Sequence, residues 1–294
     1  MLLITGVTGH TGRYFLQHLI DNQYNGKIRC VVRENSNIKL LENSGLDFEL
    51  AVGDLDDSSF VNEIMKDITT IMHIYNIHHS PVIIEAAIKN QVSRAILVHT
   101  TGIYSQFKSA SEEYIRIESE VLSKAKDKID LTILRPTMIY GDMCDYNMSK
   151  FIKMIDSMRI YPLIDNGKGL IQPVNARDLG KAYYDVLVNP ASTANKQYDL
   201  SGHQPISVKE ALTIISDKLT KRTMFVNIPM QIGVLAAKTI KILSLGKIDV
   251  VEQVLRMGED RAYSHDLAKS DFNFSPMPFG DGIAEEIAEF KQSK

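Results

Sequence analysis

The chain has 294 residues, of which 44% are hydrophobic and 23% are charged, the proportions of an ordinary globular protein. Its net charge of −3, with no long run of like charges, argues against a nucleic acid or an anionic membrane as a partner. Cys30 and Cys144 lie in unrelated contexts, so we expect reduced thiols in a cytoplasmic protein.

The first half of the chain alternates short β-rich runs with helical patterns, which is typical of a parallel sheet with crossover helices. No basic segment precedes the first run, so we expect no cleaved signal peptide. The predicted strands are Met1–Thr5, Lys27–Arg33, Phe48–Val52, Thr69–Tyr75, Ala95–Thr100 and Leu131–Leu134. The predicted helices are Arg13–Asn22, Asn37–Asn43, Ser58–Lys66, Pro81–Asn90 and Glu112–Lys126.

The alternation loosens in the second half. The predicted elements there are a strand at Gln197–Leu200 and helices at Ser149–Ser157, Asp178–Val188 and Ser207–Leu219. Ser207 followed by Glu210 three residues later is a capping-box pattern, so Ser207 is the expected N-cap.

Residues Ile232–Leu245 form an apolar stretch that is interrupted by two lysines. The stretch is shorter than the roughly 20 residues that cross a bilayer. We therefore expect a buried or pocket-lining helix, with a membrane-surface helix as the alternative.

These elements predict an α/β protein with a Rossmann-type, doubly wound parallel sheet and a smaller C-terminal substrate lobe. The dinucleotide-binding domain is expected over residues 1–142, with later segments at about 174–202 rejoining it. Residues 143–173 and 203–294 are expected to form the smaller lobe.

A glycine-rich turn, TGVTGHTG at Thr5–Gly12, joins the first strand to the first helix. Gly6 permits a tight turn, Gly9 lets backbone N–H groups approach a pyrophosphate, and Gly12 lets the helix pack closely on the strand. The anion would rest at the N-terminus of the helix, where unpaired N–H groups and the helix dipole stabilise it.

The spacing resembles the TGxxGxxG motif of the extended and atypical short-chain dehydrogenases/reductases. The resemblance continues in Gly53-Asp54-Leu55, in the RPTMIYG segment that ends at Gly141, in PVNARDL at Pro173–Leu179 and in YDLSG at Tyr198–Gly202. It spans nearly the whole chain and is strongest to NmrA-like and epimerase-like members.

This resemblance implies a dinucleotide site along the carboxyl edge of the sheet. The implied site includes the glycine turn, the end of the second strand, the turn after the third strand, and residues after the fourth, fifth and sixth strands. The cofactor-binding residues it implies are Gly6, Thr8, Gly9, His10, Thr11, Gly12, Arg33, Asp54, Leu55, Tyr75, Thr100 and Pro136.

The end of the second strand bears on which dinucleotide binds. An acidic residue there accepts hydrogen bonds from the ribose of NAD, whereas an arginine accommodates the 2′-phosphate of NADP. The strand ends in Arg33, which favours NADP(H). NAD is the alternative, because Glu34 follows directly.

The resemblance also implies a catalytic Ser/Thr, a Tyr, and a Lys four residues after the Tyr. Thr101 stands where the Ser/Thr is expected, and Tyr114 lies near the start of a helix, but position 118 is a glutamate. A carboxylate at i+4 would disfavour the phenolate that the lysine normally stabilises. Thr101 and Tyr114 are therefore the catalytic candidates of a site that lacks the usual Tyr-xxx-Lys pair.

Three further residues near the sheet edge have alternative interpretations. Tyr104 is a structural tyrosine or a substitute acid, and His78 and His79 are solvated loop residues or contacts to a ligand. No cysteines or acidic residues stand near the histidines at a metal-binding spacing, so no metal site is expected.

The sequence leaves three candidate functions open. The first is an NADP(H)-dependent oxidoreductase acting on a small carbonyl or hydroxyl compound, which relatives without the Tyr/Lys pair perform. The second is a sugar-nucleotide epimerase or dehydratase, against which Glu118 counts. The third is a non-catalytic NADP(H) redox sensor of the NmrA-like type. A small-molecule substrate is the expected partner, and a homodimer or a protein partner is also compatible with the sequence.

Overall fold

The computed structural model describes residues 1–293, with the side chains of residues 108–110 excluded. Its strands are β1 (Leu2–Thr5), β2 (Ile28–Val32), β3 (Phe48–Val52), β4 (Thr70–His73), β5 (Arg94–Val98), β6 (Asp130–Pro136), β7 (Ile139–Tyr140), β8 (Ile160–Ile164), β9 (Leu170–Ile171), β10 (Val174–Asn175), β11 (Gln197–Leu200), β12 (Ile206–Ser207) and β13 (Met224–Ile228). Its helices are α1 (Gly12–Asp21), α2 (Lys39–Glu42), α3 (Ser58–Ile64), α4 (Ser80–Lys89), α5 (Lys108–Ala125), α6 (Met148–Ser157), α7 (Ala176–Val188), α8 (Pro190–Thr193), α9 (Val208–Lys218), α10 (Met230–Leu243), α11 (Val251–Arg256), α12 (Asp266–Phe272) and α13 (Phe279–Gln292).

A seven-stranded sheet in the order β3-β2-β1-β4-β5-β6-β11 forms the centre of the molecule, and all its neighbouring strands run parallel. The strand order reverses between β1 and β4. This arrangement confirms the predicted Rossmann-type sheet, in which ligands bind outside the carboxyl ends of the strands at the point of reversal.

Helices cover both faces of the sheet, which explains why its strands are apolar without alternation. Every residue of β1 is buried. One core cluster combines the sheet with α1, α7 and α12, and the other combines it with α3, α4 and α5. Helices α1 and α7 approach closely at Gly180, where an added Cβ would lie 2.5 Å from the Cβ of Tyr14.

A third core cluster lies in the C-terminal part, among α6, α9, α13 and β8. Short strand pairs support it: β8 with β13 and β7 with β10 run parallel, and β9 with β12 runs antiparallel. The predicted N-cap of α9 is confirmed, because the side chain of Ser207 accepts a hydrogen bond from the N–H of Glu210 at 3.0 Å.

The helix predicted at Ile232–Leu245 exists as α10, but the expectation that it is buried was wrong. Only Gly233 and Ala237 of this helix are buried, whereas Leu235 is 66% and Leu243 is 80% exposed. The small residues lie on the packed face, where a Cβ at Gly233 would approach Ile164 to 2.7 Å. The apolar stripe therefore faces outwards, and no described helix has the length and apolar character of a membrane span.

Helix α13 brings a carboxyl group into the C-terminal core. Glu286 is fully buried, accepts a hydrogen bond from the N–H of Gly141 at 3.0 Å, and lies beside the carboxyl group of Asp145. Burial, reinforced by Asp145, raises the pKa of Glu286 to about 9. The side chain is therefore protonated at neutral pH.

We expect Glu286→Gln to stabilise the protein at pH 7 by about 3 kcal/mol and to change little at pH 4.5. Between pH 4.5 and 9 the folded protein holds this proton and the unfolded chain releases it, so the stability of the wild type falls as pH rises. Urea unfolding of both proteins at pH 4.5, 7 and 8.5 measures the difference. Glu285→Gln is the control, because Glu285 is exposed and its pairing with Arg177 is worth little. Parallel stability curves for Glu286→Gln and the wild type would contradict the prediction.

Candidate functional site

The glycine turn folds as its sequence predicts. Gly6 has a φ of +75°, and its carbonyl oxygen accepts a hydrogen bond from the N–H of Gly9 at 2.9 Å. A Cβ at Gly12 would lie 2.0 Å from the same oxygen. The first N–H groups of α1 have no partners within the helix and carry the positive end of its dipole, so the turn can hold an anion.

A cleft, which we call the β1–β3 cleft, opens beyond this turn at the carboxyl ends of β1, β2 and β3. Of the predicted cofactor residues, the cleft is lined by Gly6, Thr8, Gly9, Arg33, Asp54, Leu55 and Tyr75. Gly53, part of the turn singled out after the third strand, also lines it, as does Ser36, which the sequence did not point to. The side chain of Arg33 is exposed and forms no ion pair with any residue that the structure describes.

Three other predicted cofactor residues, His10, Thr11 and Gly12, do not line the cleft. Thr11 is buried, and Nε2 of His10 lies 3.1 Å from a carboxylate oxygen of Asp142. Arg13 contacts the same oxygen, and the hydroxyl of Tyr14 donates to it at 2.9 Å. Asp142 thus ties the start of α1 to the segment after β6.

Asp142 remains ionised in this cluster. Its burial opposes ionisation, but the close contacts with His10 and Arg13 outweigh that effect and hold the pKa of the carboxyl well below its usual range. Sequence reasoning missed this residue, because its partners lie about 130 positions earlier in the chain.

A second cavity, which we call the β5–β6 cavity, lies farther along the same edge and measures about 340 Å³. Its walls include Thr100 and Thr101, which follow β5, and Thr137, which follows β6. The hydroxyl of Thr101 donates to the carbonyl oxygen of Pro136 at 3.2 Å. Of the residues predicted near the cofactor, Thr100 therefore lines this cavity rather than the β1–β3 cleft, and Pro136 lines neither but lies next to it through its bond to Thr101.

The other catalytic candidate, Tyr114, lies just outside this cavity. Its ring contacts Gly102, where an added Cβ would come within 3.2 Å, and its ring centre is 6.0 Å from that of His78. Gly102 itself lines the β5–β6 cavity. Tyr114 and Thr101 thus flank the same loop.

Glu118, one turn beyond Tyr114, points into the protein. Its buried carboxylate lies 2.8 Å from Nδ1 of His99 and accepts a hydrogen bond from Nε of Arg135 at 3.0 Å. Burial opposes this charge, but the hydrogen bonds from His99 and Arg135 hold the pKa of Glu118 below its ordinary value. The residue at the lysine position is therefore half of a buried ion pair.

Tyr104 belongs to the same network. Its hydroxyl donates to Asp199 at 3.0 Å and accepts from Arg135 at 3.2 Å. Burial raises the pKa of Tyr104 to about 12, against the opposing effect of Arg135. A hydroxyl that already donates to a carboxylate and resists ionisation is poorly suited to act as a substitute acid.

The expectation that no acidic residues approach the histidines was wrong for His79. One ligand atom each from Asp54, Asp56 and His79 lies within 4.8 Å of the others, and Nε2 of His79 is 3.0 Å from Asp56. Both aspartates are exposed, and exposed carboxylates commonly cluster without a metal ion. His78 instead lies 3.3 Å from Glu113.

The C-terminal lobe contributes residues to the β5–β6 cavity that sequence reasoning missed. Arg256, Arg261 and Tyr263 line it together with the threonines. Arg256 is the last residue of α11, and Arg261 and Tyr263 lie in the irregular segment that follows it, with no motif to mark them. The signal that could have found them is two arginines within six residues in the lobe expected to bind substrate.

Residues 6–148 match the model of a family described as NAD(P)H-binding. A nucleoside-diphosphate-sugar epimerase from Pseudomonas aeruginosa has a similar structure, with a TM-score of 0.76, 15% identity, and coverage of 99% of this chain and 97% of that one. UDP-glucuronic acid 4-epimerase from Bacillus cereus, in complex with UDP-glucuronic acid and NAD, has a TM-score of 0.76 at 15% identity and coverage of 100% and 99%. Triphenylmethane reductase from Citrobacter sp. has a TM-score of 0.73 at 16% identity and coverage of 98% and 99%.

These identities establish a shared fold over the full length of the chain. No protein of curated function matches the sequence. The family match begins at Gly6 of the glycine turn and extends past β6, so it covers the part of the chain in which the sequence predicts a dinucleotide site.

Proposed function

We propose that the protein is an NADP(H)-dependent oxidoreductase acting on a small carbonyl or hydroxyl compound. The proposal starts from the match of residues 6–148 to the NAD(P)H-binding family. The observation that carries this proposal is the pair of openings along one sheet edge, one at the glycine turn and one at Thr100 and Thr101. The first opening fits a dinucleotide and the second fits a small substrate.

The residues present fit a bound dinucleotide. A Cβ at Gly6 would lie 2.9 Å from the backbone nitrogen of Tyr75, and one at Gly12 would meet the backbone of Gly6, so only glycines keep this cradle open. The pyrophosphate would rest on the N–H groups that begin α1, and Arg33 would meet the 2′-phosphate.

Thr101 in the β5–β6 cavity and Tyr114 just outside it are the residues that would act on the substrate. When bound, the cofactor supplies or accepts a hydride at the reacting carbon. Thr101 orients the substrate oxygen, and Tyr114, beyond Gly102, gives that oxygen a proton in the reducing direction and removes it in the other. Without a lysine beside Tyr114, the positioning of the substrate must provide most of the rate.

The test is NADPH consumption by the purified protein across a panel of quinones, aldehydes and ketones. Turnover supports the oxidoreductase. Binding of a UDP- or dTDP-sugar with NAD would instead favour an epimerase. A melting temperature that responds to neither NADPH nor NADH at millimolar concentration would contradict any dinucleotide function.

A substitution at Arg33 tests which dinucleotide the protein binds. We expect Arg33→Ser to weaken NADPH binding about 10- to 100-fold and to leave NADH binding unchanged, because only NADPH carries the 2′-phosphate. Titration calorimetry with both cofactors measures the change. Glu34→Gln tests the alternative: a selective loss of NADH affinity in that variant would indicate an NAD site.

The second candidate function is a non-catalytic NADP(H) redox sensor that reports cofactor occupancy to a protein partner. The location of Glu118 favours it, because a buried Glu118–Arg135 pair replaces the charge that normally activates the tyrosine. Tight binding of NADPH and NADP⁺ without turnover on the panel would select this function.

A further inference from the structure

Two arginines, Arg256 and Arg261, line the β5–β6 cavity, and hydrogen bonds hold the segment around Arg261 in place. The N–H of Arg261 donates to the carbonyl oxygen of Leu170 at 2.8 Å, and the N–H of Leu170 donates to Asp260 at 2.9 Å. Two residues later, the N–H of Tyr263 donates to the side chain of Gln172 at 2.9 Å. The segment is therefore hydrogen-bonded to β9 and its neighbour Gln172.

The guanidinium of Arg261 has no hydrogen bond or ion pair with the described residues, and its Nε atom is buried. Nε of Arg256 is also buried without a hydrogen bond, and its nearest carboxylate oxygen, on Glu259, is 3.9 Å away. Burial, and then the charge of Arg256, lower the pKa of Arg261. Desolvated cations normally have a partner, because leaving one unpaired is costly.

Glu259 gives Arg256 only this long contact, because its carboxylate is hydrogen-bonded elsewhere. Its carboxylate accepts hydrogen bonds from the hydroxyl of Ser105 at 3.0 Å and from the N–H of Gln106 at 2.7 Å. None of the residues lining the cavity is acidic. The cavity therefore holds two guanidinium groups whose charge is not balanced within its walls.

We infer that the β5–β6 cavity binds an anionic substrate, whose carboxylate or phosphate group is held by Arg261 and Arg256 opposite Thr101. Planar guanidinium groups match both anions and can form paired hydrogen bonds with either. This inference rests on the proposed function, since it defines the substrate class for the same cavity. It makes Arg261 a specificity-determining residue.

The test measures anion binding by the full chain saturated with NADPH, so that the glycine turn is occupied and cannot bind the probe. Inorganic phosphate and acetate are the probes, with acetamide as the neutral control. We expect phosphate or acetate, but not acetamide, to raise the melting temperature. Phosphate alone would indicate a phosphate ester as substrate, and acetate alone a carboxylate.

Arg261→Gln is expected to weaken binding of the effective anion about 10- to 100-fold while NADPH affinity stays unchanged. Arg261→Lys should restore part of it, because a charge is retained without the planar geometry. The melting temperature of Arg261→Gln without anions should equal or exceed that of the wild type, since an unpaired cation is removed. Arg222→Gln, at an exposed arginine outside the cavity, is the control.

Two results would overturn the inference. One is equal anion binding by the wild type and Arg261→Gln, and the other is no response of the wild type to either anion. Failure of the proposed function is distinguishable, because NADPH itself would then not bind or no panel compound would be turned over.

Discussion

Gly12→Ala is expected to abolish measurable NADPH binding and to destabilise the protein by about 3 kcal/mol or more. The added Cβ would lie 2.0 Å from the carbonyl oxygen of Gly6 and 3.0 Å from the Cα of Val7. These are backbone atoms of the turn that we propose holds the pyrophosphate, so no side chain can move aside to make room. NADPH titration and guanidinium unfolding measure the two effects.

Gly280→Ala is the matched control for this prediction. Gly280 lies in the first turn of α13, and an added Cβ there would meet nothing within 4 Å. Alanine favours a helix over glycine, so this variant should be as stable as the wild type or more stable by up to about 1 kcal/mol. NADPH affinity within twofold of the wild type in Gly12→Ala would mean that α1 can shift away from β1 without loss.

The central sheet could be predicted from sequence because its determinants are local. Each strand of a parallel sheet is buried on both faces and forms a short apolar run, and the glycine turn marks where β1 ends. The start of α5 was set four residues late, at Glu112 instead of Lys108, because the polar residues that precede Tyr114 carry no apolar period. Helix boundaries without such a period are not encoded locally.

The error at α10 has a different cause. An apolar stripe with helical spacing identifies a face of the helix, but not what lies against that face. In this protein the packed face is marked by Gly233 and Ala237, four residues apart, because only small side chains allow the helix to approach Ile164. The large apolar residues are left on the outside.

The candidate site likewise contains some residues that the sequence predicts and others that it does not. Arg33 and Asp54 were predicted beside the glycine turn because neighbouring strands of a parallel sheet end at one edge, and the structure brings them together. Asp142 and Arg261 reach the site through contacts between residues about 90 to 130 positions apart. Such contacts depend on how the C-terminal lobe packs, which no local pattern reports.

Glu118→Lys restores the Tyr-xxx-Lys spacing in the sequence, and we expect it to destabilise the protein by about 3–5 kcal/mol without increasing activity. The new ammonium group would be buried beside the guanidinium of Arg135, where the wild type has a carboxylate at 3.0 Å. His99 would lose its acceptor as well. The lysine therefore could not lie beside Tyr114 and stabilise its phenolate. Guanidinium unfolding measures the loss of stability, and NADPH turnover measures the activity.

Glu120→Lys is the control on the same helix. Glu120 is paired at the surface with Arg116 and Lys124, so its reversal should cost no more than about 1 kcal/mol. Combining Glu118→Gln with Arg135→Met should cost less than the sum of the two single changes, because the double variant removes both charges of the buried pair. If Glu118→Lys folds as stably as Glu120→Lys and oxidises NADPH faster than the wild type, then the buried pair does not fix the orientation of this position. The missing lysine would in that case be the only defect of the catalytic centre.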